Sequence, residues 1–100
     1  MKDNPATIKF HKRATVALDM LSLEQKNTVL KSIDYLANFG LESTLGKNVK
    51  PLNIDESLYL LRVNHSLRLF FRLNPQNEIE ILDILMKERL EVFAHSKTLS

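Results

Sequence analysis

From Ser57 to Phe93 apolar residues fall in three short runs separated by turn residues, and a charged helical tail follows. Asn64-His65-Ser66 reads as the first turn and Asn74-Pro75-Gln76-Asn77 as the second. Thr7–Phe10 reads as an earlier strand. From Arg13 to Leu21 the pattern changes to helical spacing, with Ala14, Ala17, Leu18 and Leu21 on one stripe. Ser22 and Gln25 then form a capping box, in which the hydroxyl accepts the N3 amide and the glutamine reaches back. The helix it opens carries Val29, Ile33, Leu36 and Ala37 as its stripe, with Leu30 beside it and Gly40 as a left-handed C-cap. Residues 41–56 read as a loop punctuated by Gly46 and Pro51.

This order predicts one α+β domain over residues 1–100. An N-terminal strand and a helical hairpin pack on an antiparallel sheet that ends in a three-stranded meander. Strand alternation extends the prediction to faces. A three-residue first turn sets Arg62 opposite Arg68 and Leu60 opposite Phe70. A four-residue second turn sets Phe70 opposite Ile81 and Arg68 opposite Asp83. One face then carries Leu58, Leu60, Arg62, Arg68, Phe70, Arg72, Ile79, Ile81 and Asp83. The other carries Tyr59, Leu61, Val63, Leu67, Leu69, Phe71, Leu73, Leu82 and Ile84, and is the expected core face. A slip of one residue would exchange the two.

Three arginines inside strands need a reason, because like charges directly opposite cost roughly 0.2–1 kcal/mol. Two readings stay open. Asp83, helped by Glu88 or Glu91, bridges Arg62 and Arg68 into an ion-pair cluster. Alternatively the planar guanidinium forks await a phosphate, with Lys47, Lys50, Lys87 and Arg89 as a rim.

Composition narrows the field. The chain has 100 residues, 44% of them hydrophobic, enough for one core. Fourteen Lys/Arg face twelve Asp/Glu, so an overall basic footprint for nucleic acid is absent and any anion site is a local cluster. The absence of cysteine excludes disulfides and thiolate metal sites. No H-E-x-x-H, Walker A or G-x-G-x-x-G motif occurs, and two glycines do not make a phosphate-cradling loop. No metal or cofactor is expected. His11 and His65 lack partner spacing, and His65 at a hairpin tip is expected in solvent. With no apolar run of about 18 residues and no apolar h-region in MKDNPATIKFHKRA, the cytoplasm is the expected compartment.

The ordered set Leu58-Tyr59-Leu60-Leu61-Arg62, Arg68-Leu69-Phe70-Phe71, Ile79–Ile84 and Lys87–Phe93 resembles the RelE/ParE superfamily of type II toxin–antitoxin toxins. The resemblance covers most of the chain and includes the helical hairpin and the Lys47/Lys50 loop. It implies a RelE-like fold and a small toxin neutralised by a cognate antitoxin. Many RelE-type members cleave mRNA on the ribosome without metal, using the RNA's own 2′-hydroxyl. By this resemblance Arg68 contacts the scissile phosphate and Lys87 is a second basic residue. Lys47, Lys50, Arg62, Arg72 and Arg89 would then contact RNA. Two departures stand out. Phe93 occupies the place of a family tyrosine that transfers a proton; His95 is either its substitute, since an imidazole suits proton transfer near neutral pH, or an exposed tail histidine. The first meander strand offers Leu58 and Leu60 where RelE carries lysines.

Three functions follow: an mRNA endonuclease acting at the ribosome, a ParE-like binder of DNA gyrase that does no chemistry, or an inert member of the superfamily. An antitoxin groove is expected on the exposed face of the helical hairpin or at the sheet edge near Leu58.

Overall fold

The computed structural model describes residues 5–40, 48–52 and 57–88. The elements are β1 (Thr7–Phe10), α1 (Lys12–Asp19), α2 (Leu23–Phe39), β2 (Val49–Pro51), β3 (Leu58–Arg62), β4 (Leu67–Asn74) and β5 (Glu78–Met86). They form a five-stranded sheet in the order β1-β5-β4-β3-β2. Both helices pack on one face, as the α+β pattern predicts.

Ser22 caps α2 as expected, its Oγ accepting the Gln25 amide at 3.2 Å. Val29, Ile33, Leu36 and Ala37 are the buried stripe. Gly40 closes the helix with its N–H donated to Leu36 O at 2.9 Å. Its φ of 74° is positive as predicted, but ψ of −174° lies outside the left-handed helical region, in territory essentially restricted to glycine. The β3–β4 turn is built by Asn64, whose Oδ1 accepts the amides of Ser66 and Leu67 at 2.8 and 2.9 Å. In the β4–β5 turn Asn77 takes φ 60°, a conformation asparagine tolerates.

Three features depart from the sequence expectation. Val49–Pro51 is a strand, paired antiparallel with Leu61–Tyr59, so part of the expected loop is an edge of the sheet. The expected free edge near Leu58 is therefore covered, and Leu52 N donates to Leu58 O at 2.9 Å. At the opposite edge β1 runs parallel to β5, with Thr7 beside Glu78 and Phe10 beside Ile81.

The third departure concerns register. Arg62 opposite Arg68 and Leu60 opposite Phe70 stand as predicted. In the second hairpin Asn74 pairs with Glu78, leaving three turn residues rather than four. Leu73 therefore faces Ile79 and Phe71 faces Ile81, which moves both isoleucines from the expected mixed face into the core. Beyond Ile81 the pairing slips. Phe70 faces Asp83, Arg68 faces Leu85, and Leu82 is the extra residue of a β-bulge. Without the slip Asp83 would fall opposite Leu69, a fully buried position. Burying an unpaired carboxylate is costly, so the bulge keeps Asp83 on the open face and returns Ile84 to the core.

The core joins Ala14, Leu18, Val29, Ile33, Leu36 and Ala37 from the helices to Leu61, Leu67, Leu69, Phe71, Ile79, Ile81 and Ile84 from the sheet. Tyr59 stacks on Phe71 with ring centroids 5.5 Å apart. Among the described residues no helix is long and apolar enough to cross a membrane.

Candidate functional site on the open sheet face

Directly paired residues share a face, so the face away from the helices can be read row by row. At the hairpin end Arg62, Arg68 and Leu85 lie across β3, β4 and β5. The next row is Lys50, Leu60, Phe70 and Asp83. Leu58, Arg72, Glu80 and Lys9 follow, and Asn74 and Glu78 close the far end.

The expected Arg–Asp–Arg bridge does not form. Asp83 Oδ1 accepts its neighbour's amide, Ile84 N, at 2.8 Å. Its Oδ2 lies 4.0 Å from Arg13 on α1. Arg68 instead folds back on its own hairpin, and Nη1 donates to Asn64 O at 2.8 Å and Leu67 O at 3.0 Å. These bonds aim the guanidinium while engaging one nitrogen of a five-donor fork. Lys87 is drawn to the same turn, its backbone N–H donating to Ser66 O at 2.7 Å. The hairpin end therefore collects Arg62, Arg68 and the start of the Lys87 segment.

The other expected RNA contacts separate from this cluster. Arg72 lies four residues from Arg68 along β4, about 13 Å at strand rise, and sits directly opposite Glu80. Lys50 is exposed one row away, on the edge strand. Lys47, Arg89, Glu91, Phe93 and His95 lie outside the described residues. Leu58, Leu60, Phe70 and Leu85 make the centre of the face apolar and half-buried.

The face also carries a group that the sequence left unpaired. His11 Nε2 lies 2.6 Å from Glu80 Oε2. Asn74 Nδ2 donates to the other Glu80 oxygen at 2.6 Å and to Glu78 Oε1 at 2.8 Å. The bond to His11, then the bond from Asn74, hold the Glu80 carboxyl below the ordinary carboxylate value, against the opposing effect of desolvation. His11 and Glu80 are 69 residues apart. The register expected from the sequence, with Ile79 and Ile81 on the open face, turned Glu80 away from it, and the shorter β4–β5 turn reverses that.

No group of three or more His, Cys, Asp or Glu side chains suited to a metal occurs among the described residues. A cleft of about 240 Å³ opens between the end of α2 and the β4–β5 turn, lined by Ala6, Leu36, Gly40, Asn74 and Glu78 among others. It lies away from the arginine cluster.

No family model and no curated protein sequence matches the chain. Solved structures do. The archaeal RelE–RelB complex from Pyrococcus horikoshii OT3 contains a chain that is 22% identical with TM-score 0.69, covering 85% of this chain and 98% of that one. YoeB from Staphylococcus aureus is 19% identical with TM-score 0.67, covering 81% and 95%. YafQ from E. coli strain BL21(DE3) is 14% identical with TM-score 0.68, covering 85% and 97%. These matches cover more than four-fifths of this chain and nearly all of each of those chains, so the helical hairpin on a sheet ending in a meander is the fold that this chain shares with the RelE, YoeB and YafQ structures.

Proposed function

We propose that this chain is the toxin of a type II toxin–antitoxin system and acts as a RelE-like, metal-independent mRNA endonuclease at the ribosome. The observation that carries this reading is the grouping of Arg62, Arg68 and Lys87 at one end of the open face, with Arg68 pre-aimed by its own turn. Two arginines set opposite each other cost stability unless an anion completes them. RNA phosphates supply that anion, and Lys50 extends the cationic track along β2. Lys47 and Arg89 are assigned to the same track. Proton transfer by His95 belongs to this reading as well.

A cognate antitoxin covers the chain when toxicity is held in check. The outer face of the helical hairpin suits that partner, because Val16, Met20 and Leu23 are exposed there, Met20 by 82% and Leu23 by 74%.

A ParE-like gyrase binder is the second reading. The apolar row of Leu58, Leu60, Phe70 and Leu85 favours it, since such a row suits a protein surface better than an RNA backbone.

Pulse-labelling of protein and DNA synthesis after induction without antitoxin separates the two. The nuclease reading expects protein synthesis to fall first, and Arg68→Ala to relieve the arrest in folded protein. Unchanged protein synthesis overturns it. A selective fall in DNA synthesis supports gyrase, and no effect on either supports an inert scaffold.

A further inference from the structure

The proton-transfer residue that the endonuclease reading requires need not sit at the C-terminus. His11 occupies the N-cap of α1, where Ser, Thr, Asp or Asn would satisfy a backbone amide. It makes no side-chain capping bond. Its imidazole turns to Glu80 instead. A position that breaks a local structural rule is where function is expected.

The strand pattern sets the direction. Ile8 and Phe10 pack on the core. Lys9 and His11 therefore face the other way, onto the sheet face that holds Arg68 and Arg72. The Glu80 carboxylate accepts, so Nε2 carries a hydrogen, and in the neutral imidazole Nδ1 is the nitrogen with the lone pair. Nδ1 makes no hydrogen bond among the described residues, and the side chain is 42% exposed against 16% for Glu80. Glu80 is itself fixed by Asn74. A base oriented by a carboxylate, which is oriented in turn by an amide, is the arrangement of an activated proton acceptor.

We infer that His11, in place of His95, is the general base of this chain and Glu80 its positioning residue, acting on an RNA strand laid along the open sheet face. The inference rests on the endonuclease reading. The 2′-hydroxyl loses its proton to His11 Nδ1 as the 2′-oxygen bonds to phosphorus. The phosphorus–5′-oxygen bond breaks, its electron pair stays on the 5′-oxygen, and that oxygen takes a proton from water. The imidazolium then returns its proton to solvent. The products are a 2′,3′-cyclic phosphate and a 5′-hydroxyl, with no co-reactant needed. Arg13, 80% exposed, and Lys9 flank the pair as cations for the phosphate. The other charged groups around it are Arg72 opposite Glu80, Glu78 on Asn74, and Asp83 beside Arg13. Arg68, at the far end of the face, then holds a neighbouring phosphate rather than the scissile one that the resemblance assigns to it.

The test is single-turnover cleavage of a short synthetic message on ribosomes by the full chain, across pH. His11→Ala should cleave at least about 10²-fold more slowly, the range of general-base catalysis, while binding ribosomes within about twofold of wild type. Added imidazole should restore cleavage in proportion to its free-base fraction. Glu80→Gln should retain part of the rate with a displaced acidic limb. His11→Gln keeps a hydrogen bond for Glu80 but takes no proton, and should be folded and inactive. Cleavage by either His11 variant at the wild-type rate and pH profile overturns the inference and leaves the endonuclease reading standing. So does failure of imidazole to rescue a folded His11→Ala. If wild type cleaves no message, the endonuclease reading falls first and this inference falls with it.

Discussion

Glu80 shows how one side chain couples stability to pH. Bonds from His11 and Asn74 lower its pKa in the folded chain below the ordinary 4.5. A lowered carboxylate stabilises the fold above the unfolded value, and that contribution drains away as pH falls through the folded one. Urea midpoints measured from about pH 6 down to pH 3 should therefore fall more steeply for wild type than for Glu80→Gln. Parallel curves would mean that the His11–Glu80–Asn74 bonds add nothing to stability. The sequence did not mark this residue as outward, because the four-residue turn it suggests puts Ile79 and Ile81 on the open face and turns Glu80 from it. His11 was harder still. Its partner comes from a strand 69 residues away through a parallel pairing that no local signal encodes. By contrast Ser22, Gly40 and Asn64 announced their roles, since caps and turns are made within four residues.

At the scale of elements, the bulge in β5 reconciles two demands. Ile79 and Ile81 must reach the core on one side of it and Ile84 on the other, while Asp83 stays out. Leu82 is the residue that makes the count work. Deleting it leaves every cross-strand pair of the β4–β5 ladder in place, because Ile81 and Asp83 then become consecutive partners of Phe71 and Phe70. The variant should fold with wild-type circular dichroism and lose about 1–2 kcal/mol, the worth of a half-buried leucine. Loss of the fold would show that the bulge itself, rather than the pairing it permits, holds the sheet. The sequence pointed to β5 and missed the bulge for the same reason. Its apolar content marks a strand, but the run Ile81-Leu82-Asp83-Ile84-Leu85 offers no period to count. The three-residue strand Val49–Pro51 was missed because it is short and contains a proline, which an edge tolerates and a central strand does not.

For the whole molecule, the open face is where stability and the proposed activity pull apart. Arg62 is exposed and faces Arg68 across the ladder. Arg62→Leu removes that repulsion, so it should stabilise the fold by about 0.2–1 kcal/mol and weaken growth arrest on induction. Denaturant unfolding reads the first effect and a growth curve the second. An unchanged growth curve would remove Arg62 from the RNA track. What the sequence by itself determined is local or periodic: the two helices, the caps, the hairpin register of β3 with β4, and the gathering of arginines on one sheet face. These follow from side-chain spacing and from turn chemistry spanning a few residues. What only the tertiary structure decided is which distant groups meet. Edge pairing brought His11 to Glu80, and the cost of burying a carboxylate placed the bulge. The shortened β4–β5 turn set Arg72 opposite Glu80 and left Arg62 and Arg68 without the acid the sequence had offered them, because strand register is settled by the packing of the whole core.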